Sequence, residues 1–374
     1  MKAVIMAGGL GTRLRPLTFT RPKPVMPVAN KPIICHVADL LKKTGFKKTI
    51  VTLWYGGEAI TRCLKEVEGL EITFSIEEKP LGTAGGVGRI REKLTDTFLV
   101  ISGDLVTDID LASVVKLHVE KGGLATMVLT PVPDTRHYGI AELDSEQRIV
   151  KFLEKPRPEE AFSKLANAGI YVLEPEVFKY IPEGKMIDFS RDVFPQMLGR
   201  GEEIYGFIYE GYWNDVGTLD TYIKANMDAL DGKVHLDLSA ELRGNGLWIA
   251  KDAMIEDEVY MEPPLLIGGG AKVERGARLY SYTVIGSNTV VKRRAKLERA
   301  IVLEEAEIGE EAKIKDAVVG ARCKIGNKAF LERSVLGDEA SVGEGAQVAP
   351  KMVRVAPFLS IAPHSNIYSD YMAP

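Results

Sequence analysis

The chain has 374 residues, 45% of them hydrophobic and 27% charged, with a net charge of −4. That length exceeds one comfortable core, so two domains are expected. The mixed, slightly acidic charge excludes a general nucleic-acid binder, which needs a basic excess.

The three cysteines, Cys35, Cys63 and Cys323, are scattered and form no CxxC pair. This argues against a zinc site or a disulfide framework and predicts a reducing, cytoplasmic setting. The first apolar run, Ala3-Val4-Ile5-Met6-Ala7, is too short for a signal peptide or a membrane span. It predicts a buried strand and no membrane association.

Residues 1 to about 230 alternate strand-like and helical stretches. Strands are predicted at Ala3–Met6, Lys48–Leu53, Glu71–Ser75, Phe98–Ser102, Ala125–Thr130, Gly139–Leu143, Ile149–Leu153, Ala168–Leu173 and Ile204–Tyr209. Helices are predicted at Ile33–Thr44, Glu58–Glu66, Gly85–Lys93 and Leu111–Lys121. Such alternation predicts an α/β unit with a mostly parallel, Rossmann-like sheet covered on both faces.

From about residue 248 an aliphatic residue or Met recurs every sixth position, through Ile249, Ile255, Met261, Ile267, Val273, Leu279, Ile285, Val291, Leu297 and Leu303. The register then slips by one to Ile308 and Ile314, again to Val319, Ile325 and Leu331, and again to Leu336, Val342 and Val348. Glycine often follows the aliphatic residue, and alanine often sits four places after it. A period of six fits neither a helix nor a flat sheet. It fits a coil in which each hexad is one side of a triangular prism. The pattern resembles the left-handed parallel β-helix family.

The chemistry begins at the first strand, which runs into Ala7-Gly8-Gly9-Leu10-Gly11-Thr12-Arg13-Leu14. Glycines let backbone N–H groups approach an anion. Thr12 adds a hydroxyl donor and Arg13 a forked cation suited to phosphate. Leu14 stands where a dinucleotide loop would need its third glycine, and the pattern GxxxxGK[ST] is absent. Lys23 then sits between Pro22 and Pro24 in a proline-stiffened loop, where it could reach the same phosphates.

These segments together, Gly8 to Thr18 followed by Arg21-Pro22-Lys23-Pro24, resemble the sugar-phosphate nucleotidyltransferases. The resemblance implies that Arg13 and Lys23 neutralise a triphosphate. It implies that Ala7, Gly8, Gly9, Gly11 and Thr12 bind the nucleotide with Glu77, Gly82 and Thr83 of a second loop. A carboxylate at Glu77 accepts only, which suits the paired donors of guanine better than uracil or thymine.

Val100-Ile101-Ser102-Gly103-Asp104 is a buried strand ending in a carboxylate, where ligands of open α/β sheets sit. The resemblance makes Asp104 a Mg²⁺ ligand and Asp215, in Trp213-Asn214-Asp215-Val216-Gly217, the second. It gives the sugar phosphate to Tyr138, Gly139, Glu154, Lys155 and Asn167. Asp108 and Asp110 read as loop and helix-cap residues.

The domains implied are residues 1–235 for nucleotidyl transfer and 236–374 for the β-helix with its tail. The subfamily most similar is that of mannose-1-phosphate guanylyltransferases, with glucose-1-phosphate uridylyl- or thymidylyltransfer as the alternative. A catalytically inactive regulatory subunit is the alternative of another class. Its usual mark is a damaged phosphate loop or missing metal carboxylates, and here Arg13, Lys23, Asp104, Lys155 and Asp215 are present. None of the five histidines lies between Ile249 and Val348, so the coils are expected to be structural and to form a homo-oligomer rather than to act as a second enzyme.

Overall fold

The computed structural model describes residues 1–349 and 351–372. The chain forms two compact units. One comprises Met1–Gly9 and Ile33–Asp215, and the other Leu10–Pro32 and everything from Val216 onward. Contacts thus divide the chain at 215/216 and assign the segment 10–32 to the coil unit.

The first unit is a nine-stranded mixed sheet. Strand Lys2–Met6 lies between Phe98–Ser102 and Lys48–Leu53, and Glu71–Ile76 follows, all parallel. In the first three of these strands the Val, Ile and Phe side chains are buried, as in strands covered on both faces, whereas Ile76 on the outer strand is exposed. Leu165–Leu173 runs antiparallel to Phe98–Ser102 and leads into Gly139–Leu143 and Ile149–Glu154. The carboxyl ends of the parallel strands open into Ala7-Gly8-Gly9, Glu77 and Gly103-Asp104.

Several elements here depart from expectation, among them the turn Pro175–Tyr180, the π-helical Phe189–Val193 and helix Phe194–Gly199. The helix predicted from Gly85 begins at Gly82 and ends at Gly88, with a separate 3₁₀ turn at Arg91–Lys93. Its glycines disfavour a helix. Tertiary contacts hold it, because the N–H groups of Ala84 and Gly85 both donate to the carbonyl of Ile187 at 3.0 Å. A two-stranded ribbon, Val106–Thr107 with Trp213–Asn214, was not predicted, since two residues carry no periodicity.

In the second unit three ladders of short parallel strands form the sides of a prism. One stacks Leu247–Ile249, Leu265–Ile267 and Thr283–Ile285. The second stacks Met254–Ile255, Lys272–Val273 and Val290–Val291. The third stacks Tyr260–Met261, Arg278–Leu279 and Lys296–Leu297. The inward aliphatic residues and Ala271, Ala277, Ala295, Ala312, Ala329, Ala340 and Ala346 make one continuous core.

The first register slip falls one place earlier than the hexads suggested. Val302, not Leu303, pairs with Ile285 and enters that core. Leu303 is buried as well, so its hydrophobicity hid the shortened side. The expected tail, from Val355, is coil as far as Ile367. Val353–Val355, Ser360–Ile361 and Asn366–Ile367 continue all three ladders. His364 therefore does lie in a coil, as an exposed corner residue stacked over Gly345.

Helix Leu219–Leu230 also belongs to this unit and was not predicted. Tyr222 donates its hydroxyl to the carbonyl of Pro27 at 2.8 Å, and Asn226 accepts the N–H of Ala29 at 2.9 Å. No helix among the described residues is long and apolar enough to cross a membrane.

Candidate functional site

In the coil unit the loop 10–32 is tightly folded. Gly11 takes the left-handed conformation, with φ of 60°, and its carbonyl accepts the N–H of Leu14 at 3.0 Å and the hydroxyl of Thr18 at 2.7 Å. A Cβ on Gly11 would stand 2.9 Å from the Cβ of Lys23, so a side chain there would collide. Thr12 and Arg13 are exposed, whereas Lys23 is buried in the 3₁₀ turn Lys23–Val25. Thr18, unassigned from sequence, thus sets the turn that presents Thr12 and Arg13.

In the sheet unit Ala7 gives its N–H to the carbonyl of Thr52 at 3.0 Å, so that donor serves the sheet. Gly8 touches Trp54 at ordinary contact distance, and Gly9 faces open space. Asp104 follows Gly103, where a Cβ would crowd Ile5 at 2.9 Å. Ser102, which sequence reasoning passed over, donates to Asp104 Oδ1 at 2.6 Å.

The short ribbon joins the two expected metal carboxylates. Val106 stands opposite Asn214 and Thr107 opposite Trp213, antiparallel. Asp104 lies two residues before Val106 and Asp215 directly after Asn214, so both aspartates leave the ribbon at the same end. Tyr138 points its hydroxyl at Asp215 Oδ1 from 3.4 Å and packs edge-on against Trp213. Trp213 in turn donates its indole N–H to the carbonyl of Ala168 at 3.0 Å.

Glu77 is neither solvated nor turned outward. Its Oε2 accepts the N–H of Leu81 at 3.0 Å, and its Oε1 lies against Gly86. Burial pushes its carboxyl above the usual range, against the pull of the Leu81 N–H and of Arg89. Gly82 has φ of 75°, and a Cβ there would collide with the carbonyl of Ile187. Thr83 donates to Asp188 Oδ2 at 2.8 Å and accepts the N–H of Phe189 at 3.0 Å. The 77–83 loop is therefore built on the segment Ile187-Asp188-Phe189, which no sequence pattern had tied to it.

The expected sugar side gathers around one strand pair. Gly139 lies opposite Glu154, and a Cβ on Gly139 would come within 2.7 Å of Glu154 Oε2. Burial raises the Glu154 carboxyl, and Lys155, whose Nζ is 3.5 Å from Oε1, pulls partly back. Lys155 turns with φ of 49° and donates its N–H to the carbonyl of Tyr138 at 3.0 Å. Asn167 sits at a bulge in Leu165–Leu173. Its amide donates to Tyr171 at 2.9 Å and Ser190 at 3.0 Å, and its oxygen accepts the N–H of Gly169. Both amide protons are thus engaged, which leaves one lone pair on Oδ1 for a hydroxyl. Asp110 caps helix Leu111–Lys121 through the N–H of Ala112, and Asp108 accepts the Tyr209 hydroxyl.

Among the described residues no group of three or more His, Cys, Asp or Glu gathers as a self-sufficient metal cage. Mg²⁺ does not require one. It is commonly held by one or two carboxylates with waters and substrate phosphates. Two aspartates at one end of a ribbon are a donor set of that kind.

Residues 2–232 match the nucleotidyl transferase family, and residues 261–370 match the GMPPB C-terminal domain. A UTP–glucose-1-phosphate uridylyltransferase from Synechocystis sp. is 35% identical over 304 residues, 76% of this chain and 78% of that protein. A mannose-1-phosphate guanylyltransferase from Mycobacterium tuberculosis is 35% identical over 286 residues, 74% of this chain and 76% of that protein. The crystal structure of HddC from Yersinia pseudotuberculosis complexed with GMP-PN is 26% identical, with a TM-score of 0.52, and covers 60% of this chain and 97% of that one. The glycine-rich strand exit and these matches agree, and the chain belongs to the nucleotidyl transferase family.

Proposed function

We propose that the chain joins GTP to mannose-1-phosphate, giving GDP-mannose and pyrophosphate. The observation that supports this reading is the ribbon of Val106–Thr107 with Trp213–Asn214, since Asp104 precedes one of its strands and Asp215 follows the other. The guanylyltransferase relative and the match of the second half to a GMPPB C-terminal domain support the substrate pair.

In this mechanism an oxygen of the sugar phosphate attacks the α-phosphorus in line. A new P–O bond forms, the α–β bridge breaks, and pyrophosphate leaves. The attacking oxygen is already anionic, so no protein nucleophile or general base is required. Arg13 and Lys23 neutralise the triphosphate and the departing pyrophosphate. Ala7 (through its carbonyl), Gly8, Gly9, Gly11 and Thr12 line the phosphates, and Gly82 and Thr83 present backbone to the base, with Glu77 bracing that loop. Tyr138, Gly139, Glu154, Lys155 and Asn167 orient the sugar phosphate. Asp104 and Asp215 would hold Mg²⁺, whose charge, when bound, offsets that of the phosphate oxygens.

The exposed Met254, Tyr260, Phe358 and Tyr368 on the coils support a homo-oligomer built through that unit. A second reading, uridylyl transfer to glucose-1-phosphate, draws on the Synechocystis relative. Pyrophosphate release from each nucleoside triphosphate with each hexose-1-phosphate separates the two. GTP with mannose-1-phosphate should be fastest, and a faster rate with UTP or dTTP would refute the guanylyl assignment.

A further inference from the structure

The loop that carries Lys23 belongs to the same compact unit as the coils. Along one corner of the prism Glu304, Ala321 and Asp338 hold the same place in three successive coils. Each lies two residues past the stacked core positions Val302, Val319 and Leu336. Arg21 spans this corner. Its Nε and Nη2 donate to Asp338 Oδ2 at 3.1 and 2.9 Å, and Nη2 also donates to Glu304 Oε1 at 2.9 Å. Thr20 donates its hydroxyl to the same Asp338 oxygen at 2.7 Å. Further along, Asn30 donates to the carbonyl of Ile285 at 2.7 Å. Residues 20 to 30 are thus fastened at both ends to one edge of the coils.

Within the coils Asp338 Oδ1 accepts the N–H of Ala321 at 2.9 Å, a bond that a neutral amide oxygen could accept as well. Asp338 is 2% exposed, and a buried carboxylate is costly unless it is paired. The equivalent corner positions are Ser287 and Ala321, which are uncharged. One Asp338 oxygen thus serves the prism through Ala321, and the other serves Arg21 and Thr20. Between the fastened ends lies Lys23, buried and pressed against Gly11.

We propose that Asp338 and Glu304 are positioning residues of nucleotidyl transfer, fixing through Arg21 the backbone that aims Lys23 at the triphosphate. The coils on this account complete the phosphate loop. The inference rests on the reading of Lys23 as a triphosphate contact.

The test compares full-length Asp338→Asn, Glu304→Gln, Arg21→Met and the double variant Arg21→Met/Asp338→Asn, with Lys23→Ala alongside, using GTP and mannose-1-phosphate. Asp338→Asn should lower kcat/KM for GTP about 100-fold, with the KM for mannose-1-phosphate unchanged. The double variant should be no worse than the more impaired single variant, because both break one link. Glu304→Gln leaves Asp338 in place and should lower kcat/KM for GTP about fivefold without a loss of thermal stability. It decides the question if Asp338→Asn does not fold. Kinetics unchanged in Glu304→Gln and in folded Asp338→Asn, with only stability lost, would overturn the positioning role while leaving the phosphate-loop reading intact. Full activity of Lys23→Ala would overturn that reading and the inference with it.

Discussion

Asn214 stands opposite Val106 in a ribbon two residues long, and Asp104 and Asp215 leave that ribbon at the same end. The two aspartates come from the end of a central strand and from the close of the sheet unit. Asp104→Asn and Asp215→Asn should each lower kcat about 100- to 1,000-fold and leave the unfolding temperature unchanged. Pyrophosphate release and thermal unfolding check this. Near wild-type turnover in either variant would contradict the shared role.

Gly82 is held by its conformation and by Ile187. Gly82→Ala would place an L-residue at φ of 75°, at a cost of about 1–2 kcal/mol, and drive its methyl into the Ile187 carbonyl. Thermal unfolding should show a loss of about 2–8 °C. The KM for GTP should rise while that for mannose-1-phosphate holds. An unchanged unfolding temperature would contradict the packing of this loop on Ile187.

Glu77 makes stability depend on pH in an unusual sense. Burial raises its carboxyl above the ordinary value, so the fold favours the neutral acid. The contribution is complete below the ordinary carboxyl value and is lost as pH rises through the raised one. Glu77→Gln mimics the neutral acid and keeps an oxygen for the Leu81 N–H. It should match wild type at about pH 5 and exceed it at about pH 8, while GTP remains the preferred nucleotide. Equal unfolding temperatures at both pH values, or a switch to UTP, would contradict the role of Glu77 as a brace.

Asn167 is oriented by Tyr171, Ser190 and Gly169. Asn167→Ala should raise the KM for the sugar phosphate about tenfold, and Tyr171→Phe about threefold, with the KM for GTP unaffected in both. Steady-state kinetics with each substrate varied in turn decides this. An effect on GTP alone would place Asn167 outside the sugar side.

Much of this architecture is legible in the amino-acid order because it is periodic. Period-two and continuous apolar runs mark the strands, and a period of six marks the coils. The glycine-rich exit of the first strand is legible because anion contact restricts the residue types there. What is hidden is pairing across distance. Arg21 and Asp338 are 317 residues apart, and neither side chain by itself specifies the other. Thr83 and Asp188, 105 apart, are hidden for the same reason. The shortened coil side at Val302 was masked because Leu303 is equally apolar, and the last coil was missed because the step from Val348 to Val355 breaks the six-residue rhythm.

The stoichiometry of the two products tests nucleotidyl transfer most directly. Purified full-length protein would be given GTP, mannose-1-phosphate and Mg²⁺, and GDP-mannose and pyrophosphate would be followed together by phosphorus NMR. Equal amounts of the two products, and no pyrophosphate when the sugar phosphate is withheld, are the predicted result. Pyrophosphate released from GTP alone, or no GDP-mannose formed, would contradict it.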